Sequence, residues 1–139
     1  MPNTVNKYLE KLDSLRHEIA EVSAHLSSED LEKPASFDEK RTMRLLLHRM
    51  SVHDMDHAQQ IAMTREAFGS FLNEAQLLTS RAAISRGMLY SMLIGLSDDQ
   101  LFEHPCPGEW SIAEILDHVI FADERRLNEF RRIVQEKEM

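Results

Sequence analysis

The chain has 139 residues, 42% of them hydrophobic, which is the size of one domain with a single packed core. A formal net charge of −8 and a pI near 5.3 exclude sequence-independent binding to DNA or RNA, which needs a basic surface to displace counterions. No apolar run approaches the roughly 18 residues of a membrane span, and no charged segment followed by an apolar one marks a signal peptide, so a cytoplasmic protein without membrane contact is expected. The single cysteine, Cys106, rules out an internal disulfide framework and suits a reducing compartment. Four glycines and four prolines against abundant Leu, Ala, Glu, Met and Arg predict helix nearly throughout.

A first helix is predicted over residues 3–26, where Val5, Tyr8, Leu9, Leu12, Leu15, Ile19, Val22 and Leu26 recur at three- and four-residue steps. His17 and His25 on it read as polar rim residues. In the following LSSEDLEKPASF, Ser27 with Asp30 resembles a capping box opening a short turn, and Pro34 ends it. The second helix is predicted from about Asp38 or Glu39 to Phe68, stopping at Gly69-Ser70.

This second helix carries the first chemical signal, in the stretch LLLHRMSVHDMDHAQQI. His53 and His57 are one turn apart and point about 40° from each other, so two imidazoles can share one metal ion. Borderline metals such as zinc or nickel favour imidazole nitrogen. His48 is about 140° away and does not belong to that face. The plainer reading of the same residues is two unrelated polar side chains, with Asp54 and Asp56 on a solvated face. A catalytic zinc usually takes three protein ligands, so a third is needed.

A third helix is predicted over residues 72–94, its Met-rich stripe serving as core filler and Gly95 closing it. In LSDDQLFEHPCPGEW, Ser97 pairs with Gln100 as Ser27 does with Asp30, and Pro105 answers Pro34. The pattern of helix, LS-x-x-D/Q-L, proline, helix thus occurs twice, which predicts a tandem duplication of a helical hairpin. The expected fold is an all-α four-helix bundle, one domain over residues 1–139, with hairpins 3–68 and 72–137. The fourth helix opens on a capping box, Ser111 with Glu114, with Trp110 placed as a hydrophobic staple. His118 falls with Ile112, Ile115, Leu116, Val119 and Ile120 on its apolar stripe, either as a ligand or as a core histidine satisfied by a hydrogen bond.

The segment LSDDQLFEHPCPGEWSIAEILDHVIFADERR resembles the DinB/YfiT-like superfamily, whose members read L-S-x-x-x-L, a proline, G-x-W-S-x-x-E-x-L-x-H and an acidic-basic run. His53, His57, Gln60 and Ile61 resemble its second signature, HxxxH followed by glutamine and an apolar residue. The resemblance implies a metal-dependent enzyme in which His53, His57 and His118 hold a divalent metal, zinc or nickel, inside the bundle. It implies activation of water or a thiol, hence a hydrolase or thiol-dependent transferase acting on a small-molecule substrate with a low-molecular-weight thiol as one candidate partner. The family places the W-S hairpin first, whereas here it comes second. A circularly permuted bundle or an exchange of hairpins in a homodimer would both reunite the three histidines. Asp54, Gln60 and Asp117 are candidates for orienting a ligand ring.

Two readings compete. A hemerythrin-like iron carrier shares His53-x-x-x-His57, with His118-x4-Asp123 and His17-x-x-x-Glu21 as further partial matches, but it expects a separate histidine on its own helix. The other is a metal-free helical interaction or dimerisation module.

Overall fold

The computed structural model describes residues 3–139. It is all-α, as the composition predicts: five α-helices with one two-stranded hairpin of short strands. No helix among the described residues is long and apolar enough to cross a membrane. The chain forms two compact units, Met1–Gly95 and Leu96–Met139.

The first unit holds three long helices. Helix α1 spans Thr4–Ser23, and the side chain of its N-cap Asn3 accepts the backbone N–H of Val5, supplying a partner for an otherwise orphaned donor. Ser27 and Asp30 bond reciprocally, Ser27 N–H to Asp30 Oδ2 at 3.0 Å and Asp30 N–H to Ser27 Oγ at 3.1 Å, and open a 3₁₀ turn at Asp30–Glu32. Strands β1 (Pro34–Ala35) and β2 (Asp38–Thr42) then pair antiparallel around a turn at Ser36 and Phe37. Ala35 is buried in this corner, 2% exposed.

The hairpin corrects the expected start of the second helix. Residues 38–42 form β2, and helix α2 spans Met43–Ala67. The cause is local. Thr42 is a β-branched residue in extended conformation whose hydroxyl caps the helix by accepting the Leu45 N–H, while Met43 N–H is taken by Lys33 O across the hairpin. At its other end α2 closes as a Schellman motif: Gly69, with φ of 67°, donates to Glu66 O and Ser70 donates to Arg65 O. Only glycine takes that left-handed backbone without strain. Helix α3 spans Glu74–Ser91, two residues later than the predicted start, because Asn73 and Gln76 form a capping box there.

Leu15, Ile19 and Val22 of α1 face Met43, Leu46, Leu47 and Met50 of α2 across an open apolar groove of about 530 Å³. An ion pair from Arg16 to Asp54, 2.9 Å, ties the same two helices one residue from His53. His17 meets Tyr90 of α3 edge-on at 6.0 Å, so its ring is held by an aromatic contact.

The second unit consists of α4 (Asp98–Phe102) and α5 (Ile112–Glu138). Ser97 with Gln100 and Ser111 with Glu114 both form the predicted capping boxes. Ser111 is 3% exposed, so the cap of α5 is shielded from water. Large apolar side chains elsewhere stay open to solvent, Leu12 of α1 and Phe130 of α5 at 62% and 65% among them.

Candidate metal centre

On α2 the 3.6-residue repeat stacks His53 and His57, and the two rings meet edge-on with centroids 4.4 Å apart at 81°. Their Nε2 atoms are 3.1 Å apart. On its other side the His57 ring places Nδ1 2.8 Å from Gln60 Oε1. An amide oxygen only accepts hydrogen bonds, so His57 Nδ1 carries the proton and its Nε2 is left with a bare lone pair. That lone pair accepts the Nε2–H of His53. Gln60 thereby fixes the tautomer of His57 whose free lone pair is on Nε2.

The spacing of the two nitrogens fits a shared ion. With metal–nitrogen bonds of about 2.05 Å, neighbouring ligands lie about 2.9 Å apart at a right angle and about 3.3 Å apart at a tetrahedral angle. The observed 3.1 Å falls between them. Both rings are exposed, so an ion can reach them from solvent. Two neutral imidazoles are also the right donor type for zinc or nickel.

His118 lies on α5 in the second unit. It is exposed, and its ring packs against Trp110 with centroids 5.3 Å apart at 60°. The indole precedes the N-cap, so the start of α5 and the orientation of His118 are set by one aromatic contact. The structure thus brings His53 and His57 together. No group of three or more His, Cys, Asp or Glu side chains able to hold a metal forms among the described residues.

The three candidates for orienting a ligand ring separate clearly. Gln60 is bonded to His57. Asp54 is committed to Arg16 instead. The Asp117 side chain makes no hydrogen bond or ion pair among the described residues.

Two contacts in the second unit carry no sequence signal, because their partners are eight and ten positions apart on different backbone geometries. One is Trp110 with His118. The other is His104, whose Nε2 lies 3.1 Å from Glu114 Oε2, the oxygen that also accepts the Ser111 N–H at 2.8 Å. The Ser111 N–H, reinforced by His104, holds the Glu114 carboxyl below the usual carboxylate range.

An all-α protein with a paired-imidazole face on one helix and a tryptophan-packed histidine on another is the class defined by these features. Residues 82–138 match the DinB superfamily, and this stretch, from within α3 to the end of α5, is DinB-like. The match contains Trp110, Ser111, Glu114 and His118, while His53 and His57 precede it. No curated protein and no solved structure matches the chain significantly.

Proposed function

We propose that the protein is a DinB-type metalloprotein that holds one divalent ion, zinc or nickel, on His53, His57 and His118. The observation that carries this reading is the 3.1 Å approach of His53 and His57 Nε2, with the Gln60 bond leaving His57 in the ligating tautomer. The third ligand is assigned by likeness rather than by distance. His118 occupies the histidine position of the G-x-W-S-x-x-E-x-L-x-H motif, inside the DinB-like stretch. It reaches the pair either within one chain or through a second copy.

When bound there, the ion supplies Lewis acidity that lowers the pKa of a coordinated water or thiol. That chemistry makes the protein a hydrolase or a thiol-dependent transferase for a small molecule, a low-molecular-weight thiol being the co-substrate in the second case. The residues divide the work. His57 would bind through Nε2 as it stands and His53 through Nε2 once its proton shifts to Nδ1, Gln60 holds the proton on His57 Nδ1, and Trp110 restricts the ring of His118. Elemental analysis of the wild type beside His53→Ala and His118→Ala tests the reading. About one ion per chain, absent from both variants, supports a three-imidazole site. An ion retained by either variant contradicts it.

A further inference from the structure

Beyond His118, helix α5 carries four arginines, and three of them are accounted for. Arg126 pairs with Asp123 at 3.1 Å, and Arg132 pairs with Glu129 at 3.0 Å and with Glu136 at 2.6 Å. Arg131 lies about 140° from His118 around the helix. Arg125 is the fourth. Seven residues bring it back to within about 20° of His118, two turns and roughly 10 Å further along the axis. Nothing on the helix satisfies its guanidinium. Side chains meet along a helix at three- and four-residue steps, and around Arg125 those positions hold Phe121, Ala122, Asn128 and Glu129. Glu129 is the one carboxylate among them, and Arg132 holds it. Arg125 is exposed, and its side chain makes no hydrogen bond or ion pair among the described residues.

His118 and Arg125 line one pocket of about 350 Å³ on α5, with the small Ala122 between them and Phe121 and Phe130 as apolar walls. That is the size of a small-molecule site. Arg126 and Glu129 also line it, but each is neutralised by its own partner, so the uncompensated charge in the pocket is the Arg125 guanidinium. A planar guanidinium matches a carboxylate, which it takes through two parallel N–H···O bonds. A single negative charge suits the pocket better than the double charge of a phosphate, since Glu129 stands in its lining and the chain as a whole carries −8.

We infer that Arg125 binds the carboxylate of the substrate, a small molecule whose reacting end lies at the ion on His118. The inference rests on the three-histidine reading and adds the substrate class to it: a carboxylate less than about 10 Å from the group that reacts. Arg125 determines specificity and is not a metal ligand, so its loss leaves metal binding intact.

Calorimetric titration of the zinc-loaded protein with mercaptopropionate and mercaptohexanoate, each beside its neutral amide, tests it. The thiol anchors every probe at the ion, so the difference between acid and amide reads the carboxylate contact. The wild type is expected to bind at least one of the acids about tenfold or more tightly than its amide. Arg125→Gln is expected to keep the zinc content of the wild type and to bind acid and amide alike. Arg125→Lys, which keeps the charge without the planar fork, retains part of the preference. Arg131→Gln removes the same charge from another side of the helix and is expected to leave the preference unchanged. Zinc uptake without probe binding, a wild type that prefers neither acid, or a preference that survives in Arg125→Gln overturns this inference and leaves the metal site standing. A wild type that takes up no zinc overturns both.

Discussion

Gln60 Oε1 accepts the Nδ1–H of His57 at 2.8 Å, and this single bond decides which nitrogen of the ring is free to bind an ion. Replacing Gln60 by leucine removes the acceptor and releases the tautomer. Losing such an outer partner of a ligating histidine typically weakens metal binding about 10–100-fold. Gln60→Leu is therefore expected to give up zinc to a competing chelator about that much more readily, while Gln60→Glu, which still accepts, keeps most of the affinity. Equal retention by the leucine variant and the wild type would show that Gln60 has no hold on the site.

Ser111 caps α5 from a position only 3% exposed. Its hydroxyl accepts the Glu114 N–H at 3.2 Å and its own N–H reaches Glu114 Oε2. Ser111→Ala leaves a helix donor unpaired and shielded from water, which costs about 0.5–2 kcal/mol. In urea titration the midpoint should fall with the slope unchanged, and Ser111→Thr should recover most of the loss.

The Asp30 carboxyl is held at about 2, against its ordinary 3.8. Lys33 Nζ donates to it at 2.6 Å, and the Ser27 N–H and hydroxyl donate at 3.0 Å and 2.9 Å. A depressed carboxylate stabilises the fold above its unfolded pKa and loses that contribution as pH falls through the folded value. The 27–33 turn is thus expected to loosen between about pH 3.8 and pH 2. An NMR titration of Asp30 should show a midpoint well below the ordinary 3.8. In Asp30→Asn the Ser27 amide should lose this pH dependence. A midpoint at 3.8 would contradict the assignment.

Motifs closed within one helical turn were legible in the sequence, because the 3.6-residue repeat fixes their reach. The Ser97, Ser111 and Ser27 reciprocal bonds and the His53–His57 pairing all belong to this group. Asn73 with Gln76 has the same spacing, and reading it would have moved the start of α3 from Leu72 to Glu74. The β1–β2 hairpin was not legible, since DEKRT carries no apolar alternation and its extended state is set by Lys33 O across the turn and by the Thr42 cap. Contacts that depend on helix placement were equally out of reach. Arg16 claims Asp54 across 38 residues and removes it from the candidates for orienting His53 or His57. The packing of Trp110 on His118 belongs here as well, although both residues were singled out separately.

Trp110 is the only tryptophan in the chain, and its ring is 5.3 Å from that of His118. It therefore reports on His118, while His53 lies on α2 in the other unit. The most direct test of a shared ion is a zinc titration followed by Trp110 fluorescence in the wild type and in His53→Ala. The account predicts a saturable emission change at about one equivalent in the wild type, and no change in His53→Ala although His118 is intact. A response that survives loss of His53, or a wild type that binds zinc without any response, would contradict one ion held by both helices.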